Sequence, residues 1–261
     1  MPTLPLTVHL TPDEFSAAER LVLEWGSLRA SGFRFDTGVC GLRLSNDLGA
    51  ATVLPWQGQQ IWSARFLDRD LAMISTVSQP RPTRQFLDTY GAFFLHCGAL
   101  AMGVPGPQDT HPQHGELPNA PFDHATLIAA QDDNGPYLAL KGTYRHTAAF
   151  VADYSATAEI RLRPHSAVLE VSLDVTNHRH LPMPWMYLAH INFRPVDGGR
   201  LVYTAPCSPE HVQVRRNIPP HVTVPAGYRE FLESLADNPA LHNTFSADQP
   251  YTPEVCLYLD Y

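Results

Sequence analysis

The chain has 261 residues, 44% hydrophobic and 10% aromatic, enough to build a globular core in one large domain spanning 1–261. Only 17% of residues are charged, the formal net charge is -8, and Pro (24) outnumbers Gly (16). The scattered basic residues give nucleic acid no patch, and the proline content suits many short strands rather than a helical bundle.

The N-terminus, Met1 to Pro5, lacks the basic and apolar regions of a signal peptide. No apolar run approaches the ~18 residues of a membrane span. Cys40, Cys97, Cys207 and Cys256 are widely spaced with no CxxC, so four reduced thiols in a cytoplasmic protein are expected. The first predicted element is a helix within an N-terminal helical segment, 1–30. Thr11-Pro12-Asp13-Glu14 reads as a capping box with Pro at the first helical position. Phe15, Ala18, Leu21, Val22 and Trp25 follow at helical spacing, and Gly26 reads as the stop.

From Gly38 the period changes to two. Val39–Leu44, Ala51–Leu54, Gln60–Phe66 and Asp70–Ile74 read as short strands. Residues 104–123 carry several prolines among His and Glu side chains, which excludes a helix or central strand and predicts a rigid loop. A hairpin follows: Ile160 and Leu162, a turn at Pro164-His165-Ser166, then Leu169, Val171, Leu173 and Val175 at strict alternation. A late helix is predicted over Tyr228–Ala236, closed by Asp237-Asn238-Pro239.

Several positions could carry chemistry. On a strand over 186–193, Met186, Leu188, His190 and Asn192 share one face. Tyr187, Ala189, Ile191 and Phe193 share the other, which is apolar and expected in a core. His190 and Asn192 read either as ligand contacts or as hydrogen-bonded structural groups. His111, His114 and Glu116 read equally as metal ligands, as sugar contacts or as an exposed polar loop. His96 and Cys97 lie in an apolar strand, where Cys97 is expected to be an inert thiol. Trp56, Trp62 and Trp185 either stack on sugar faces or pack in a core. No phosphate-binding glycine loop and no GxSxG are present.

Three segments in order resemble the aldose 1-epimerase (galactose mutarotase)-like family, in a branch of unassigned substrate. They are Cys40–Gly49 leading into Gly58-Gln59-Gln60-Ile61-Trp62, the loop His114-Gly115-Glu116-Leu117-Pro118-Asn119-Ala120-Pro121, and Thr176-Asn177-His178 leading to Trp185–Phe193. The resemblance implies a large all-β antiparallel sandwich that binds a sugar in a cleft on one sheet. It implies His190 as general acid and His114 as the sugar-binding loop histidine. Arg43, His111, Glu116, Asn119, Asn192 and Trp185 become candidate substrate contacts. The family's base is a glutamate on a late strand. Here the last segment, Glu254–Tyr261, offers Glu254 or Asp260, or the base has been lost. The expected partner is a small carbohydrate, with neither nucleic acid nor membrane, and with a homodimer left open. No cofactor and no metal is expected. The alternatives are a sugar-binding protein without turnover, or a metal-dependent sugar isomerase using His111, His114, Glu116 and His190.

Overall fold

The computed structural model describes residues 5–218, 222–246, 248–251 and 254–261. The chain divides into two compact units, Met1–Arg194 and Pro195–Tyr261.

The first unit is a β sandwich. Its strands are β1 (Leu6–Leu10), β2 (Arg20–Trp25), β3 (Leu28–Arg34), β4 (Cys40–Asn46), β5 (Gly49–Val53), β6 (Ile61–Phe66), β7 (Arg69–Asp70), β8 (Phe94–Ala99), β9 (His124–Asp132), β10 (Gly135–Ala148), β11 (Ala152–Leu162), β12 (Leu169–Asn177) and β13 (Met186–Ile191). One sheet runs β1-β9-β10-β11-β12. The other runs β13-β8-β6-β5-β4-β3-β2, with β7 paired to β6. All the strand pairs within these sheets are antiparallel.

Alternation decides which side chains face inward. Leu42, Leu44, Val53 and Ile61 from one sheet meet Leu127, Leu138, Leu140, Ile160 and Leu162 from the other in a single buried cluster. Each fully buried leucine or isoleucine contributes about 1.5–3 kcal/mol. The predicted hairpin is present, with Leu162 opposite Leu169 and Tyr154 opposite Asn177. On the outer face of the five-stranded sheet, the only lysine in the sequence, Lys141, is exposed between Thr126 and Glu159.

Three expectations are corrected. The N-terminal helix is absent. The Thr11 N–H does donate to Glu14 Oε2 at 2.8 Å, but only a 3-10 turn over Pro12–Glu14 forms. Arg20–Trp25 instead pairs with β3, and Gly26 (φ +64) supplies the positive φ of the short hairpin turn rather than a helix stop. Sheet pairing overrides a weak helical pattern here. Of the predicted Asp70–Ile74 strand, only Arg69–Asp70 pairs along β6, with an isolated bridge from Ala72 to Phe193. The apolar face of β13 joins no core cluster among the described residues. Tyr187, Ile191 and Phe193 are 40%, 47% and 61% exposed, because β13 is the terminal strand of its sheet.

The second unit contains α1 (Tyr228–Asp237), a 3-10 turn at Pro239–His242, and the antiparallel pair β14 (Val212–Val214) and β15 (Leu257–Leu259). The helix matches the predicted span within one residue. Tyr228, Phe231, Leu232 and Leu235 bury one stripe, and Val214 and Val255 pack against it. All four cysteines are free. No helix among the described residues is long and apolar enough to cross a membrane.

Candidate functional site

The site is built on the β8–β13 ladder, where His190 stands opposite Leu95 and Ala189 opposite His96. Leu95 and Cys97 therefore project to the outer face of the sheet, as does His190. Phe86, Trp62 and Leu54 bury Leu95 and Cys97 there, with Tyr90 packed against them. Phe86 and Tyr90 flank the short 3-10 turn Leu87–Thr89.

His114 reaches this face from the proline-rich loop, which two glycines allow to come close. Gly98 N–H donates to His114 O, and Leu117 N–H donates to Gly98 O, both at 2.9 Å. A Cβ on Gly115 (φ +81) would lie 2.3 Å from Gly98 O, and one on Gly98 (φ +127) 2.1 Å from Met186 O. Neither position accepts a side chain without moving the backbone. The ring centroids of His114 and His190 are 5.5 Å apart at an interplanar angle of 80°. Phe86 lies 4.8 Å from His114 and 6.3 Å from His190, and Tyr90 lies 5.7 Å from His190. Two half-buried imidazoles thus meet edge to face between two aromatic rings.

Asn192 supports this arrangement from below. Its side-chain amide donates to Ala92 O at 2.8 Å, and its Oδ1 accepts from the Tyr90 hydroxyl at 3.0 Å. Asn119 is buried, and its Oδ1 accepts from Gln60 Nε2 at 2.8 Å and Gln57 Nε2 at 3.2 Å. Glu116 Oε1 accepts from the backbone N–H groups of Ala99 and Leu100, each at 3.1 Å, and from the Tyr154 hydroxyl at 2.5 Å. Arg84 donates to Asn119 O at 2.8 Å and to Glu116 O at 3.3 Å.

The remaining sequence candidates lie elsewhere. Arg43 sits on β4, three strands along the sheet from β8, where it forms a two-point ion pair with Glu19 at 2.9 and 3.3 Å. That pairing holds the Glu19 carboxyl below its usual range. His111 Nδ1 lies 2.9 Å from Pro112 O, within its own loop. Trp185 is 48% exposed and stacks on Tyr187 at 5.9 Å. Trp62 is buried and Trp56 packs on Phe15, so both serve the core. In the second unit, Glu254 pairs with Arg215, and the Asp260 N–H donates to His211 O at 2.9 Å. Among the described residues, no group of three or more His, Cys, Asp or Glu side chains is disposed to hold a metal ion.

Sequence reasoning missed Phe86, Tyr90 and Arg84. The first two are four residues apart in a segment without periodicity. Only its position just before the apolar strand 94–99 marked it as a possible cover.

Residues 37–219, which include both histidines of the pair, match the model of a family described as a domain of unknown function, DUF4432. The chain belongs to the DUF4432 family. The crystal structure of a "putative aldose 1-epimerase" from Klebsiella pneumoniae subsp. pneumoniae superposes on this DUF4432 protein with a TM-score of 0.68 at 15% identity. The match covers 93% of this chain and 65% of that one, so the DUF4432 chain spans about two thirds of its length. At that identity the likeness establishes an aldose-epimerase-like β-sandwich fold and no more. A search of curated proteins finds no match.

Proposed function

We propose that this DUF4432 protein is an aldose 1-epimerase-type mutarotase acting on a free or acidic sugar. The observation that carries this reading is the His114–His190 pair, 5.5 Å apart between Phe86 and Tyr90. Imidazole can give or take a proton near neutral pH, so two of them suffice for a reaction that only moves protons.

In this reading His190 donates a proton to the ring oxygen while His114 accepts the proton of the anomeric hydroxyl. The C1–O5 bond breaks and an aldehyde forms at C1. Rotation about C1–C2 presents the other carbonyl face, and ring closure returns both protons. No electrons are transferred and no atom leaves. The neighbouring structure's description as a "putative aldose 1-epimerase" supports the assignment, as does the order of the three sequence segments.

The test is anomer exchange by NMR or polarimetry on a panel of freshly dissolved neutral sugars and sugar acids. Faster equilibration with at least one is expected. Folded protein that accelerates none of them would sink the reading. A binding protein without turnover is the second reading. It is favoured by the carboxylate nearest in sequence to His114, Glu116, whose Oε1 already accepts three hydrogen bonds. Calorimetric saturation without anomer exchange would select it.

A further inference from the structure

His114 sits in a loop rich in proline and has a positive φ of 59°, so something must hold it there. The same loop carries a carboxylate two residues later. Glu116 Oε1 accepts two backbone N–H groups from the end of β8 and the Tyr154 hydroxyl from β11. These donors belong to the two different sheets of the sandwich. An oxygen with three donors has little capacity left for a sugar hydroxyl.

Tyr154 is fully buried and stacks on His146 at 5.1 Å. Burial first, and the bond to Glu116 second, push its phenol pKa far up, so it remains a donor. Arg84 ties the Glu116 carbonyl to the same corner.

We propose that Glu116 is the positioning residue for His114: its carboxylate clamps the loop between the end of β8 and Tyr154, and so sets the imidazole against Phe86 and His190. The placement of His114 is independent of any activity. The kinetic arm below rests on the mutarotase reading.

The first arm measures ring-to-ring NOE cross-peaks from His114 to Phe86 and His190 in the full chain. They should be present in the wild type and kept in Glu116→Gln, whose amide oxygen still accepts. In Glu116→Ala they should fall by more than half, with the circular dichroism spectrum unchanged. If that variant does not fold, Tyr154→Phe replaces it, and the cross-peaks should weaken visibly. Wild-type cross-peaks in the folded variant used would overturn the proposal.

The second arm uses any sugar whose anomers the protein interconverts. Glu116→Ala should lower kcat about 100-fold, the effect of roughly 1 Å of misplacement. KM should change less than threefold, and Glu116→Gln should restore most of the rate. A raised KM at unchanged kcat, unrescued by Gln, would make Glu116 a sugar contact and overturn the proposal. If no sugar is turned over, the mutarotase reading fails while the NOE arm still decides this one.

Discussion

His96 and His190 stand on neighbouring strands one register step apart, yet on opposite faces of the same ladder. His96 points into the sandwich, where burial holds its imidazole down to about 4. Its Nδ1 meets the Tyr187 hydroxyl at 2.8 Å, and its Nε2 has no partner among the described residues. His190 points outward into a half-buried setting beside His114, Phe86 and Tyr90. Cys97 shares the outer face but lies wholly under its aromatic cover, and burial pushes its thiol up to about 12. Residue type alone does not make a reactive group on this ladder. Full burial silences an imidazole and a thiol here, whereas His190 stays half-buried between aromatic rings.

That contrast can be tested in order of expected effect. On the outer face, His190→Ala should lower anomer exchange by about two to four orders of magnitude, the usual worth of general acid–base help, with the fold retained. NMR exchange rates check this, and a loss below tenfold would remove His190 from the chemistry.

On the inner face, the expected effect is on stability. The folded-state pKa of His96, about 4, lies below the unfolded value of about 6.5. The unfolded chain therefore binds more protons as pH falls through that window. The stability linked to neutral His96 is intact above about pH 6.5 and lost towards pH 4, by roughly 3 kcal/mol. Urea unfolding at pH 7 and pH 4.5 should show a smaller drop for His96→Phe than for the wild type. Equal drops would mean that His96 is not held neutral by burial.

A glycine change probes the support of the outer face. Gly115→Ala should cost about 2 kcal/mol or more through positive φ and contact with Gly98 O. It should also weaken the His114–Phe86 NOE. The smallest effect is expected at Arg43→Ala, which breaks a half-exposed ion pair worth at most about 1 kcal/mol. Its anomer exchange rate should equal that of the wild type, and a large rate loss would bring β4 into the site.

Strict alternation at Leu169, Val171, Leu173 and Val175 made β12 legible in the sequence, since a half-buried strand has only one way to bury four apolar residues. The late helix was legible from its Asp237-Asn238-Pro239 stop. The N-terminal helix failed because Phe15, Leu21 and Val22 fit a 3.6 period by chance, while the Gly26 hairpin gave Arg20–Trp25 a strand partner. The family resemblance marked His114 and His190 as candidates, but the contact between them could not be read in the sequence, since it depends on glycine approaches at 98 and 115. For Glu116 and Asn119 the residue types were legible and the partners were not. A carboxylate in a loop looks the same whether it faces a ligand or a row of backbone N–H groups.

Lys141 lends itself to a use in the laboratory. As the one lysine, exposed on the outer face of the five-stranded sheet, it confines side-chain amine chemistry to the side of the sandwich turned away from the histidine pair. A support or fluorophore coupled to that side chain would attach through that sheet rather than through the outer face of the β8–β13 ladder.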